Sequence, residues 1–207
     1  AGYNDYISQL ENPKNVRVTL GTFDSRDKEI IRYRRTKEKI KDFKPLSLEE
    51  YQPYDMTPLY DATIEMIEKI DGFIKKDDRA ILVIMTDGFE NASREGSDVK
   101  ARKMIKQREE DGWVFIYLGS NQDAWGASAG LGLNKHGSNF TTSSSAKGIR
   151  SQMKSAGAMS SLFVSSSSEE YADTMSNYSL RAEASLDEDG VSLEELKEIK
   201  EKTKQSK

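Results

Sequence analysis

Apolar and polar positions near the start of the chain alternate first with helical and then with strand periodicity. One helical face is formed by apolar residues at three- and four-residue spacing: Tyr3, Tyr6, Ile7 and Leu10. Residues 16–23 alternate between apolar and polar side chains, which predicts a strand. Residues 28–37 follow a short polar turn and are predicted to form its antiparallel hairpin partner.

Two uninterrupted apolar runs predict a different kind of strand. AILVIM at residues 80–85 and WVFIYL at residues 113–118 lack alternation, as in strands of a parallel sheet buried on both faces. Thr57 followed by proline predicts a helix start with a threonine N-cap before the first run. Ser97 is predicted to cap the helix between the two runs. We therefore expect a three-layer, doubly wound α/β domain with a mostly parallel sheet and the hairpin as its antiparallel edge.

The last third of the chain is more polar. We divide the sequence into a domain at 1–140, a serine-rich and partly helical extension at 141–180, and a charged C-terminal helix or tail at 181–207. Residues 146–164 and 192–202 are the predicted helices of these two segments. We expect this part of the chain to form an additional docking or assembly element.

The composition argues against several classes of function. The 207 residues carry a net charge of −4, which does not favour nucleic acid as a partner. No apolar run approaches membrane-spanning length, so no membrane partner is expected. The sequence has no cysteine, which excludes disulfides and thiol catalysis and fits a reducing compartment such as the cytoplasm.

Candidate chemistry lies where the first buried strand ends. Asp87 and Gly88 follow the AILVIM run directly, and Thr57 opens the preceding predicted helix. Ligands of open α/β sheets gather at the carboxyl ends of the strands, so both side chains are expected at one edge. A hydroxyl and a carboxylate are hard oxygen ligands suited to Mg²⁺.

Three segments in this order, TPLYDAT, ILVIMTDGFENASRE and WVFIYLGSNQDA, resemble von Willebrand factor A domains, particularly a bacterial and phage-type subgroup. The resemblance covers roughly residues 1–133 and implies a metal-ion-dependent adhesion site. The family's threonine matches Thr57 and its aspartate matches Asp87, and the implied cofactor is Mg²⁺. The family's DxSxS motif, and the central strand that carries it, are absent from this sequence. We expect that segment upstream of Ala1 or from another polypeptide, and Mg²⁺ only when it is supplied.

The sequence therefore predicts a protein-interaction module without catalytic activity. Its partner is expected to be another protein, which in the family commonly offers an acidic side chain, and the chain is expected to join homo- or hetero-oligomers. The predicted partner-binding residues lie near the strand ends: Asp55, Met56, Tyr60, Gly88, Phe89, Glu90, Asn91, Ser120 and Asn121.

Two other functions stay open. A structural assembly subunit, such as a component of a phage particle or filament, would use the same fold with an inactive metal site, and its location would be the virion. A doubly wound hydrolase or nucleotide-binding protein using Asp87 would need a second catalytic carboxylate or a phosphate loop at a neighbouring strand end, and the sequence shows neither. Residues 119–132 contain neither GxGxxG nor GxxxxGK[ST]. Metal-dependent partner binding would favour the interaction module, and nucleotide turnover would favour the hydrolase.

Overall fold

The computed structural model describes residues 2–10, 15–26, 28–52, 56–120, 129–133, 139–142, 146–182 and 190–205. The helices are α1 (Gly2–Gln9), α2 (Leu59–Asp71), α3 (Ser97–Glu110), α4 (Ala146–Ser165), α5 (Ser168–Ala182) and α6 (Leu193–Gln205). The strands are β1 (Arg17–Phe23), β2 (Ile31–Lys39), β3 (Ile81–Thr86), β4 (Val114–Ser120) and β5 (Asn139–Thr142). A short 3-10 helix, Ile40–Asp42, follows β2. The class is α/β, as the alternation of periodicities predicts.

The parallel sheet has the order β3-β4-β5. β3 and β4 pair in parallel from Ile81 opposite Val114 to Thr86 opposite Gly119. The two apolar runs therefore form strands of a parallel sheet, as the sequence predicts, and the structure makes them neighbours. β5 adds a third parallel strand whose sequence, NFTT, has too little apolar character to reveal it.

Helices cover both faces of this sheet, because successive side chains of a strand point to opposite faces. Leu82 and Phe115 belong to a core that also contains buried residues of α2 and α3. Ile116 and Leu118 belong to a second core with buried residues of α4, α5 and α6. The sheet thus lies between two helical layers, and the serine-rich α4 supplies much of the second one.

The hairpin differs from the prediction. β1 and β2 pair antiparallel but form a separate two-stranded sheet, so within the described part of the chain the hairpin is not the edge of the parallel sheet. It is attached through side chains: Ile31 is buried in the same core as α2. Gly21 permits this approach, because an added Cβ would lie 2.5 Å from Ile31 Cγ2 and 2.9 Å from Met66 Cε. Side-chain packing onto α2 replaces the expected backbone pairing.

Small residues let α1 lie against α4. Tyr6 and Ser160 share a hydrogen bond of 2.9 Å between their hydroxyls, and the Ser161 hydroxyl donates to the Gln9 carbonyl at 3.0 Å. Gly157 faces α1, and a Cβ there would overlap the Gln9 side chain. None of the helices in the described ranges is both long and apolar enough to cross a membrane.

Candidate functional site

The structure brings the start of α2 and the end of β3 to one edge of the parallel sheet. Thr57 forms an isolated parallel bridge with Glu90. The Thr57 amide donates to Asn91 Oδ1 at 2.8 Å, and the Asn91 amide donates to the Thr57 carbonyl at 3.3 Å. The two segments that the sequence singled out are therefore joined directly, although they are more than 30 residues apart.

Gly88 makes the closest of these contacts. An added Cβ at this position would overlap Thr57 Oγ1 and lie 3.4 Å from Thr57 Cβ. The turn itself is held by Thr86, whose Oγ1 accepts from the Gly88 amide at 3.1 Å. The glycine is thus required for the close approach of the two segments. Its neighbour Asp87 is exposed and begins the turn that follows β3.

Helix α2 starts differently from the prediction. It begins at Leu59 with Pro58 at the N-cap position, and no side chain of that residue caps it. Thr57 is therefore not the N-cap, because its backbone is engaged with Asn91 and its hydroxyl lies against Gly88. The Leu59 amide donates to the Thr57 carbonyl at 3.0 Å, whereas the Tyr60 amide donates to another loop, to Glu90 Oε2 and to Ser93 Oγ, both at 3.1 Å.

Glu90 is consequently the centre of a capping arrangement. Its Oε1 accepts from the amides of Ala92 and Ser93 at 3.0 Å and 2.8 Å, and its Oε2 accepts from the Ser93 hydroxyl at 2.7 Å. A carboxylate at the N-terminus of a helix is also favoured by the helix dipole. The position predicted to contact a partner therefore has a structural role that no local sequence signal gives, since the capped helix is 30 residues away.

The buried carboxylate of Asp61, in α2, holds the end of the same loop in place. Asp61 is 2% exposed and accepts from the Arg94 Nε at 3.0 Å and from the Ser97 hydroxyl at 2.5 Å. Burial alone would raise the pKa of this carboxyl, but the hydrogen bonds from Arg94 and Ser97 outweigh it and lower the pKa. Asp61 is thus an ionised anchor between α2 and α3.

Exposed apolar side chains flank Asp87 in the chain, at Met85 and Phe89, and precede Thr57, at Met56. We define the rim as Tyr51, Met56, Thr57, Met85 and residues 87–91. Its large apolar members are exposed to an unusual extent: Tyr51 47%, Met56 45%, Met85 39% and Phe89 60%. The pKa of the Tyr51 hydroxyl is raised, first by burial and then by the negative charges of Asp87 and Asp24.

The described residues do not by themselves form a magnesium site. Thr57 and Asp87 offer one neutral hydroxyl and one carboxylate, whereas a cation needs more protein oxygens or firmly held water. Within the described ranges, no group of three or more His, Cys, Asp or Glu side chains is placed to hold a metal. The metal site implied by the resemblance is therefore incomplete in this part of the chain.

Of the four remaining predicted positions, two lie within the residues that the structure describes. Asp55 and Asn121 fall outside the described residues. Ser120 ends β4, where its backbone pairs with Thr142 of β5, so it reaches the same edge of the sheet. Tyr60 is partly buried, and its hydroxyl lies 2.5 Å from the position of a Cβ added at Gly130.

Comparisons with known proteins return no match. No family model matches the chain, and neither the curated proteins nor the solved structures include a match.

Proposed function

We propose that the chain is a protein-interaction module of the von Willebrand factor A type, and that the rim is its binding face. The observation that carries the proposal is the concentration of exposed apolar side chains around Asp87. Large exposed apolar groups rimmed by polar residues are typical of protein-binding surfaces. Aromatic residues and methionine are also enriched in such interfaces.

The rim suits this role because hydrogen bonds hold its central loop in place. Backbone pairing of Thr57 with Asn91, the Glu90 cap and the Asp61 anchor fix the loop that carries Phe89. A preformed surface loses little conformational entropy when a partner binds. The exposed side chain of Phe89 is thus presented by a hydrogen-bonded loop.

The metal-dependent form of this function requires an additional segment. Within the described chain β3 has a neighbouring strand on one side only. Among the residues that the structure describes, no strand pairs with its other edge, and unpaired backbone donors and acceptors are unfavourable for a strand of a parallel sheet. We propose that a strand ending in Asp-x-Ser-x-Ser occupies this edge and completes the ligand set around Thr57 and Asp87.

A photo-crosslinking experiment tests the binding face. A benzophenone amino acid is placed at Phe89 or, as a control, at Val99, which is 62% exposed on α3. In extract from cells that naturally contain the protein, we expect a discrete adduct from position 89 that is lost when Met56→Ser is added. Equal labelling from position 99, or none from position 89, would contradict the proposal.

A second experiment separates metal-dependent binding from the assembly-subunit alternative. A synthetic peptide with an apolar strand ending in Asp-x-Ser-x-Ser is added to the full chain with and without Mg²⁺. We expect Mg²⁺ to raise Tm only with the peptide present, and Asp87→Asn to abolish the effect. A Tm increase by the peptide that is independent of Mg²⁺ would favour the structural assembly subunit, and no effect of the peptide would overturn the proposed strand.

A further inference from the structure

The charge distribution at the rim distinguishes Asp87 from the other acidic side chains nearby. Asp24 is paired with Arg32 at 2.5 Å and with Arg26 at 3.2 Å. Asp61 is paired with Arg94 at 3.0 Å. These carboxylates are therefore already neutralised by side chains of this protein.

Glu90 and Asp87 have no cationic partner among the described side chains, but their surroundings differ. Both oxygens of Glu90 accept hydrogen bonds from amides and the hydroxyl of its own loop and of α2. Asp87 is exposed, and the described residues offer its carboxylate neither a hydrogen bond nor an ion pair. Of the two described carboxylates of the rim, the exposed one is thus Asp87, which lies between the exposed Met85 and Phe89 in the chain.

The negative charge of Asp87 favours a positively charged group, and the aromatic rings at the rim favour one as well. Tyr51 and Phe89 are about half exposed or more. A cation near the face of an exposed aromatic ring gains about 0.5–1 kcal/mol. Arginine makes such contacts more readily than lysine, because its guanidinium is planar and more weakly hydrated.

We infer that the partner docks on the rim through a basic side chain, preferably arginine, that lies between apolar neighbours and pairs directly with Asp87. This inference rests on the proposed function and specifies the partner's chemistry when no metal occupies the site. The charge of this basic side chain is opposite to that of the acidic side chain that a metal-bound rim would accept. A preference for a basic partner segment therefore indicates the metal-free rim, and a preference for an acidic one indicates the metal-bound rim.

Methyl NMR of the full chain tests the inference. The methionine methyl groups are labelled, so that Met56 and Met85 report on the rim and the buried Met153 and Met159 serve as internal controls. Without divalent metal, the protein is titrated with two capped tripeptides, Leu-Arg-Phe and Leu-Glu-Phe. We expect the arginine peptide to shift the Met56 and Met85 resonances with an affinity about three- to tenfold higher than the glutamate peptide.

Matched variants assign this preference to Asp87. Asp87→Asn should make the two peptides bind equally, whereas Asp77→Asn, an exposed site in the turn before β3, should leave the preference unchanged. Equal or reversed affinities in the wild-type protein would overturn the inference and leave rim binding intact. Failure of both peptides to shift the rim methyl groups would overturn the inference, and the crosslinking result at position 89 would still decide the proposed function separately.

Discussion

The hydroxyl of Thr57 occupies the space that a Cβ at Gly88 would need. This contact joins the segment that leads into α2 to the turn that follows β3, and the hydrogen bond from the Thr57 amide to Asn91 Oδ1 connects the same two segments. The rim therefore depends on a glycine for a steric reason, and that dependence can be measured.

Gly88→Ala should destabilise the protein by about 1–3 kcal/mol, because the new methyl group overlaps Thr57 Oγ1 in a turn already fixed by Thr86. Urea unfolding measures the change. In the double variant Thr57→Ala with Gly88→Ala, the overlapping hydroxyl is gone, so the combined loss should be smaller than the sum of the single losses. If the losses of the two single variants add up in the double variant, the Thr57 hydroxyl and the new methyl group at position 88 do not contact each other.

Glu90→Gln should weaken the start of α2. A carboxylate accepts hydrogen bonds on both oxygens, but the amide that replaces it turns an NH₂ group toward one set of donors. We expect a loss of about 1–2 kcal/mol in the free energy of unfolding and faster amide exchange at Tyr60. Glu110→Gln at the exposed end of α3 is the control and should change stability by less than about 0.5 kcal/mol.

Asp61→Asn should cost about 1–3 kcal/mol at neutral pH, because it removes charge-assisted hydrogen bonds from Arg94 and Ser97, although the Arg94 end is exposed and screened. The folded-state pKa of Asp61 is lowered, so its contribution is present above the ordinary aspartate pKa of about 4 and is lost as the pH falls through the lowered value. The stability difference between wild type and variant should therefore shrink below about pH 4. A difference that grows on acidification would contradict the assignment.

Gly157→Ala tests the packing of α1 on α4. Alanine in the middle of a helix normally stabilises it by about 1 kcal/mol relative to glycine. Here the added Cβ overlaps the Gln9 side chain, so we expect a net loss of stability and easier proteolysis of the α1 segment. Gln9→Gly in the same chain should restore both, and a Gly157→Ala variant that is more stable than wild type would show that α1 does not lie there.

The sequence predicts the regular elements where a single physical signal dominates. The apolar runs at residues 80–85 and 113–118 correspond to β3 and β4 within one or two residues, because burial on both faces leaves an unbroken hydrophobic pattern. The helical periodicity of residues 146–164 likewise corresponds to α4. The strand-end rule also indicates which edge of the sheet Thr57 and Asp87 share.

Features that depend on tertiary contact could not be predicted in the same way. The cap of α2 comes from Glu90 and Ser93, so the local Thr57-Pro58 signal named the wrong capping group. The hairpin packs on α2 through Ile31 instead of pairing with the parallel sheet, and alternation along a strand carries no information about its neighbour. β5 is short and polar, and its place is set by pairing with β4.

The cap that Glu90 provides has a mechanical consequence. Phe89 precedes Glu90, whose carboxylate accepts from the Tyr60 amide in the first turn of α2. Movement of this loop away from the sheet would break that hydrogen bond. A partner that pulls on Phe89 would therefore also act on the start of α2.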